Sequence, residues 1–407
     1  MLPPVIRPAP EDKALPGWPD RALPWAVRGL LLLLMAAIPL TYVIKNARSE
    51  GGLQKLILFG KHFDSRLLTE VRALHPYQES EYGYDGQYYA QMAVHPLMQS
   101  SEFNLALDCC DYRAQRIALP AMANILGMGK PGRILNAYAL LNLVFWLALM
   151  AGLAYHLPVA SPRDFLCIAA ILLGSGSLVC IFRSLTDLPA ATLGFFGTVT
   201  GEGAAVVLFS ISILTKPTSL LFLSKYAKLP VRNPGWVGLA LKIALILAVP
   251  VLWNIYVIHR FGFSNGTSDN LKLPFQSWGQ WIPGRWHEFL SVPVAWDWKN
   301  GSEWEYRLFN ILAPVCLTVQ AFHFAVYREW DSPYWRMGAA FAVLYLCFAP
   351  ASFAEYIAVA RCALPLTLAF NLRLRKQRGV TFWAWWLAGN IGLAGALHVM
   401  LSYDHFL

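Results

Sequence analysis

Residues 81–96 read EYGYDGQYYAQMAVHP, a polar, tyrosine-rich run carrying one aspartate. Asp85 lies between Tyr84 and Gly86, and a glycine lets a backbone or a ligand approach closely. Tyr82, Tyr84, Tyr88 and Tyr89 can stack on a sugar ring and donate hydroxyl hydrogen bonds. An aromatic belt at a membrane surface is also rich in tyrosine, but a belt needs neither Asp85 nor Gln87 beside it. Further on, Arg113 and Arg116 stand three apart, which puts both guanidinium groups on one face of a helix. Two forked donors facing one way suit a phosphate or phosphodiester. The same arginines would equally neutralise Asp108 and Asp111, or reach out to lipid headgroups. Asp187, Lys216, Glu355 and Arg361 complete a set of ionisable residues at the ends of apolar runs. Charges of both signs in such places pair with one another or line a functional cavity.

The elements that must hold these residues read as membrane helices. The 407-residue chain is 57% hydrophobic and 14% charged, against roughly 25% charged in a soluble domain. Apolar runs recur near 25–43, 134–156, 165–182, 187–200, 204–223, 237–258, 308–327, 337–353, 356–371 and 380–402. The expected fold is therefore all-α, a polytopic transmembrane bundle of about 9 to 11 membrane segments. Residues 1–24 form a Pro-rich cytoplasmic N-terminus and 25–407 a single membrane domain. The first run has no small-residue cleavage site after it and reads as an uncleaved signal-anchor. The net charge of +9 comes from basic residues in short connections, which is the positive-inside pattern and not a nucleic-acid patch.

Arg373, Arg375, Lys376 and Arg378, with Lys225, Lys228 and Arg232, mark the cytoplasmic side. Loops 46–116 and 259–306 then face outward. Parity requires 204–223 to start and finish inside, so it reads as one re-entrant hairpin broken at Thr215-Lys216-Pro217. Leu53, Leu56, Ile57, Leu67, Leu68, Val71 and Leu74 recur at helical spacing and predict one or two amphipathic helices on the outer membrane surface. The 117–128 run is too short to span and predicts a half-buried helix. Trp278, Trp281, Trp286, Trp296, Trp298 and Trp304 crowd the second outer loop, where they fit carbohydrate contact or an interfacial belt, with His287 and Glu288 among them. Asn265-Gly-Thr267 matches a glycosylation sequon. Five of the seven cysteines lie in apolar runs, Cys109 and Cys110 are adjacent, and no CxxC pattern suggests zinc or a disulfide framework.

Taken in order, YGYDGQYYAQMA, DYRAQRIALP, RSLTDLPAA, ILTKPTSLLF and YIAVARCALPL resemble the GT-C superfamily of integral membrane glycosyltransferases, in particular bacterial relatives of the GPI-mannosyltransferase and aminoarabinose-transferase type. The resemblance implies a lipid-phosphate-linked sugar donor, an inverting transfer and a catalytic aspartate in the first outer loop, here Asp85. It places Tyr84, Gln87, Tyr88, Arg113, Arg116, Asp187, Lys216 and Arg361 at the substrates, with the cations supplying positive charge to the departing phosphate. It also implies a site facing the periplasm of a bacterial inner membrane, a polyprenyl-phosphate-sugar donor, and a glycan, lipid or protein acceptor. No Asp-x-Asp pair surrounds Asp85, so a divalent metal is possible without being implied. The 201–203 connection is unusually short for the family, and no C-terminal globular domain follows. A transporter or flippase would also carry charges and broken helices, often in repeated halves, but no internal repeat is visible. A non-catalytic membrane scaffold would need none of this convergence.

Overall fold

A computed structural model describes residues 24–78, 80–157, 159–227, 236–262, 270–290 and 301–394. Among the described residues the chain is helical and has no strand. The Pro-rich start, Lys228, Arg232, the sequon at 265–267, Trp296, Trp298 and the end of the 380–402 run lie outside them. Among the described residues, four helices are long and apolar enough to cross a membrane: Trp25–Arg48, Pro131–His156, Trp236–Phe261 and Trp304–Val326. Two bent pairs bring the number to six if each is one span. They are Pro162–Leu172 with Ser175–Phe182 (43°) and Tyr356–Cys362 with Leu364–Leu374 (67°). Other apolar runs among the expected 9 to 11 membrane segments form shorter helices, which this length criterion does not count. Asp187–Val199 and Glu202–Thr215 have 13 and 14 residues, about 20 Å each against a hydrocarbon core of about 30 Å. Trp236–Phe261 leaves Leu241, Leu245, Leu252 and Ile255 exposed, an apolar flank suited to lipid.

The expected outer amphipathic helices are not present as such. Gly52–Ile57 and Lys61–Arg66 are 3-10 turns, and Thr69–Arg72 is a single α-turn. Positive φ at Gly51, Gly52 and Leu58 interrupts the run, so helical spacing here does not become a continuous helix. Leu56, Ile57, Leu67, Leu68 and Val71 are buried, and both Gly52–Ile57 and Thr69–Arg72 pack on Pro131–His156. Their apolar side chains thus face protein. The 117–128 run does form a short half-buried helix, Ala118–Gly127: Leu119 and Ala123 point inward while Ile125 and Leu126 are exposed.

Three local features bring the ends of distant elements together. The first is an out-and-back path. Helix Glu202–Thr215 ends at Lys216, whose backbone is extended, and Pro217 opens a 3-10 stretch, Pro217–Tyr226. Proline cannot donate the next helical hydrogen bond, so the break falls there. The Tyr226 hydroxyl donates to Glu202 Oε2 (3.1 Å), and Lys225 Nζ donates to the Gly197 carbonyl (2.7 Å). Ten 3-10 residues rise about 20 Å, which matches the preceding helix and returns the chain to its starting level. Lys216 is left at the tip, beside the start of Asp187–Val199.

The second feature is the contact between the bent pairs. A Cβ on Gly176 would lie 2.4 Å from the Ala360 carbonyl oxygen, so Ser175–Phe182 and Tyr356–Cys362 meet backbone to backbone. That contact seats Arg361, near the end of its half-helix, against the segment leading to Asp187. The third is the tight seat of the Asp85 loop. Tyr84 N–H donates to the Leu58 carbonyl (3.0 Å). A Cβ on Gly86 would lie 2.3 Å from the Arg183 carbonyl oxygen and 2.9 Å from that of Ile57. Only glycine fits there, which accounts for the Asp-Gly pair noted in the sequence.

Candidate functional site

Asp85 immediately precedes helix Gly86–Val94, every residue of which is buried. Both of its carboxylate oxygens are engaged. Arg113 Nη2 donates to Oδ1 (3.0 Å) and Arg361 Nη2 donates to Oδ2 (2.6 Å). Arg361 Nη1 reaches on to Asp187 Oδ2 (3.3 Å), and Lys216 Nζ pairs with the other oxygen of Asp187. Asp187 begins its helix, where the positive end of the helix dipole also favours its charge. The result is a continuous chain, Arg113–Asp85–Arg361–Asp187–Lys216, drawn from five separate parts of the sequence.

The arginine pair closes one end of this chain. Arg113 grips Asp108 in a fork, Nε to Oδ1 at 2.8 Å and Nη2 to Oδ2 at 2.7 Å, and donates to the Tyr89 hydroxyl (3.1 Å). Arg116 differs. Its guanidinium donates to the hydroxyls of Tyr89 and Tyr112 and lies over the Tyr112 ring. Its Nε is buried without a partner, and no carboxylate among the described residues pairs with it. The hydrogen-bonded network therefore holds four cations, Arg113, Arg116, Lys216 and Arg361, against three carboxylates, Asp85, Asp108 and Asp187. Aromatic rings line it: Arg361 stands over Tyr84 (5.3 Å) and Arg113 over Tyr88 (4.7 Å).

The electrostatics follow from this packing. Burial alone would raise the Asp85 carboxyl, but the guanidiniums of Arg113 and Arg361 outweigh it and hold the group well below the usual carboxylate range. Burial pushes the Tyr88 phenol up to about 12, and it raises the Tyr84 phenol as well. Glu355 behaves oppositely to Asp85, since burial raises its carboxyl against the pull of Arg361.

Of the residues singled out in the sequence, Tyr84, Asp85, Tyr88, Arg113, Arg116, Asp187, Lys216 and Arg361 lie together. Gln87 is differently employed. Its Oε1 accepts from Gly60 N–H (3.1 Å) and its Nε2 donates to the Tyr82 carbonyl (3.2 Å), so its buried amide ties the loop together. Lys216 pairs with Asp187, which Arg361 also engages. Tyr82 is exposed and stacks on His62, outside the cluster, and His287 is exposed. Tyr112 joins the site without having been expected there, although its four-residue spacing to Arg116 could have shown it; Glu355 was marked only as one of the ionisable residues at the ends of apolar runs.

Among the described residues no three His, Cys, Asp or Glu side chains converge as metal ligands. Between Asp85 and Asp187 stands the Arg361 guanidinium, which bonds to both, so this donor set does not fit a divalent cation. No protein-family model, curated protein or solved structure matches the chain.

Proposed function

We propose that this all-helical membrane protein is a glycosyltransferase that moves a sugar from a polyprenyl-phosphate-linked donor to an acceptor hydroxyl. The observation that carries this reading is Arg116, a buried guanidinium with no carboxylate partner beside the Arg113 fork. A buried guanidinium whose only hydrogen-bond acceptors are neutral hydroxyls is expensive, and an arriving phosphate with several acceptor oxygens would complete it. The resemblance to the GT-C enzymes supplies the sugar and the lipid. In this reading the Lys216 hairpin is re-entrant, and the site faces the periplasm of a bacterial inner membrane.

The chemistry assigned to the residues balances as follows. The acceptor O–H bond breaks and its proton passes to a carboxylate, for which we assign Asp85. The acceptor oxygen bonds to the anomeric carbon from the face opposite the phosphate. The bond from that carbon to the phosphate oxygen breaks, and its electron pair leaves with the lipid phosphate, held by Arg113 and Arg116. Asp85 is a poor base while two guanidiniums bond to it. A donor phosphate that draws Arg113 and Arg361 toward itself raises the basicity of Asp85 at the moment the donor is in place.

The test is turnover of a polyprenyl-phosphate hexose by the purified protein in lipid vesicles, read as release of polyprenyl phosphate. Arg116→Gln should lower it by about 100-fold, the usual effect of removing a donor to developing negative charge. Wild-type turnover that Arg116→Gln leaves unchanged would remove Arg116 from the phosphate subsite. The bent helix pairs favour one second reading, a carrier of an anionic lipid. A carrier would move polyprenyl phosphate across the vesicle membrane without cleaving the donor.

A further inference from the structure

The chain of bonded charges does not end at Arg113. Tyr89 lies one turn after Asp85 on the wholly buried helix Gly86–Val94 and is itself 0% exposed. Its hydroxyl oxygen accepts from Arg113 Nη1 (3.1 Å) and from Arg116 Nη1. Arg116 Nη2 donates in turn to the Tyr112 hydroxyl. From Lys216 through Arg361 to Arg113, each cation is joined to the next by a carboxylate, first Asp187 and then Asp85. From Arg113 to Arg116 the joint is a phenol. Tyr89 thus stands where the pattern elsewhere has an anion.

The hydrogens of this end do not balance. A phenol has one hydrogen to give besides the lone pairs with which it receives. At Tyr89 two guanidiniums donate to the oxygen, so its own O–H is directed away from both. Among the described residues no acceptor takes that hydrogen, nor the hydrogen of the Tyr112 hydroxyl. Arg116 Nε is a third donor, buried and without a partner. Buried donors are ordinarily matched, and one left unmet is costly. Tyr112 is half-buried, but Tyr89 is sealed from solvent. The three unmet donors belong to one guanidinium and the two phenols bonded to it. All three need an acceptor, and the free oxygens of a phosphate or phosphodiester each take several hydrogen bonds.

We propose that the hydroxyls of Tyr89 and Tyr112 donate to the phosphate of the bound lipid beside Arg116 Nε, and that Tyr89 also holds Arg113 and Arg116 side by side. This rests on the transferase reading above, which placed only the arginines at the phosphate. Two of the three donors are hydroxyls, so the subsite recognises phosphate oxygens by hydrogen bonding as well as by charge. The rings have a separate task. Arg116 lies over the Tyr112 ring (4.2 Å) and the Tyr89 ring (5.8 Å). A phenylalanine keeps that stacking and removes only the oxygen and its hydrogen.

The test compares polyprenyl phosphate with unphosphorylated polyprenol in wild type, Tyr89→Phe and Tyr112→Phe, by native mass spectrometry of the purified protein. The ratio of the two affinities is the readout, because a loosened fold weakens both lipids alike. Tyr89→Phe should lower the preference for the phosphate form by about 10-fold, the effect of losing one hydrogen bond to a charged group. Tyr112→Phe should lower it by less, and it keeps the test open if Tyr89→Phe does not fold. A wild-type preference that survives unchanged in both variants would overturn this proposal alone and leave the arginines at the phosphate. A preference that rises would also overturn it, since the hydroxyls would then compete with the phosphate for Arg116. A wild type without any preference would overturn this proposal and the phosphate reading together. Inorganic phosphate in excess should leave polyprenyl phosphate bound. Displacement of the lipid would assign the three donors to free phosphate and overturn the lipid as their ligand.

Discussion

Two sets of ion pairs occupy opposite ends of the same helices, and they are built on different principles. At one end, the Lys242–Glu202 and Lys376–Glu329 side chains are 27–59% exposed, although Arg373, which also pairs with Glu329, and the Arg375–Asp164 pair beside them are more buried. At the other end, Asp187 is 3% and Lys216 12% exposed, and each carboxylate of the Asp85–Asp187 chain is shared between two cations. Pairs left in water contribute roughly 0–1 kcal/mol and need no further reason to exist. Buried charges cost several kcal/mol each in lost hydration, and their mutual attraction offsets this only with good geometry. A buried cluster that still leaves Arg116 without a carboxylate is a poor device for stability. It is a good device for holding an anion that comes and goes.

The largest effect that sharpens this contrast should come from Asp85→Asn. The amide keeps the shape but gives up the charge that holds Arg113 and Arg361, and it cannot take a proton. Turnover should fall by about 100-fold or more while the protein remains folded. Full activity in this variant would end the assignment of Asp85.

Next is Lys216→Met. Breaking a buried pair by removing one partner destabilises by about 3–5 kcal/mol, so the thermal midpoint should drop clearly. Asp187 would keep only its Arg361 partner. The second readout is polyprenyl phosphate affinity. If affinity falls as well, Lys216 serves the phosphate, as the sequence suggests. If only the midpoint falls, Lys216 is a brace for Asp187, as its resting geometry shows.

Smaller effects should separate the two acids by pH. Asp85 has a lowered folded value, so its contribution to stability is present above the unfolded value of about 3.9. That contribution is lost only as pH falls through the much lower folded value. Glu355 has a raised folded value, so its contribution is present at low pH and lost as pH rises through that value. At pH 8 the ionised Glu355 therefore opposes folding. Glu355→Gln should leave the thermal midpoint equal to or slightly above wild type at pH 8, with the advantage fading toward pH 4. A marked loss of stability at pH 8 would mean that the carboxylate has a structural task. Smallest of all, Lys242→Ala should change stability by less than about 1 kcal/mol and leave turnover alone. A large loss there would erase the contrast between the two ends.

How much of this was legible in the sequence depended on whether a residue announces itself locally. The break at Lys216 was readable because Pro217 cannot continue a helix, and the Asp85-Gly86 pair because glycine permits close backbone approach. The chemistry of Arg113 and Arg116 was readable from their spacing, although not that Asp108 satisfies only the first. The 46–74 stretch misled because apolar residues at helical spacing also suit irregular turns packed on a helix, and glycines at 51 and 52 made the difference. How many apolar runs cross a membrane was not legible, because apolar composition does not reveal where a helix stops. The pairing of Arg361 with Asp85 spans 276 positions, and no local pattern encodes it. Glu355 was legible as an ionisable residue at the end of an apolar run, but not that its side chain leaves its helix uncapped.

The claim on which the rest depends is that the buried cation surplus around Arg116 receives a lipid phosphate. Its most direct measurement is binding of polyprenyl phosphate beside unphosphorylated polyprenol, by native mass spectrometry in wild type and Arg116→Gln. Hydrogen bonds to charged groups contribute about 1.5–3 kcal/mol, so wild type should prefer the phosphate form by about 10-fold or more, and Arg116→Gln should lose most of that preference. Equal binding of the two lipids by wild type, or a preference that survives intact in Arg116→Gln, would contradict it.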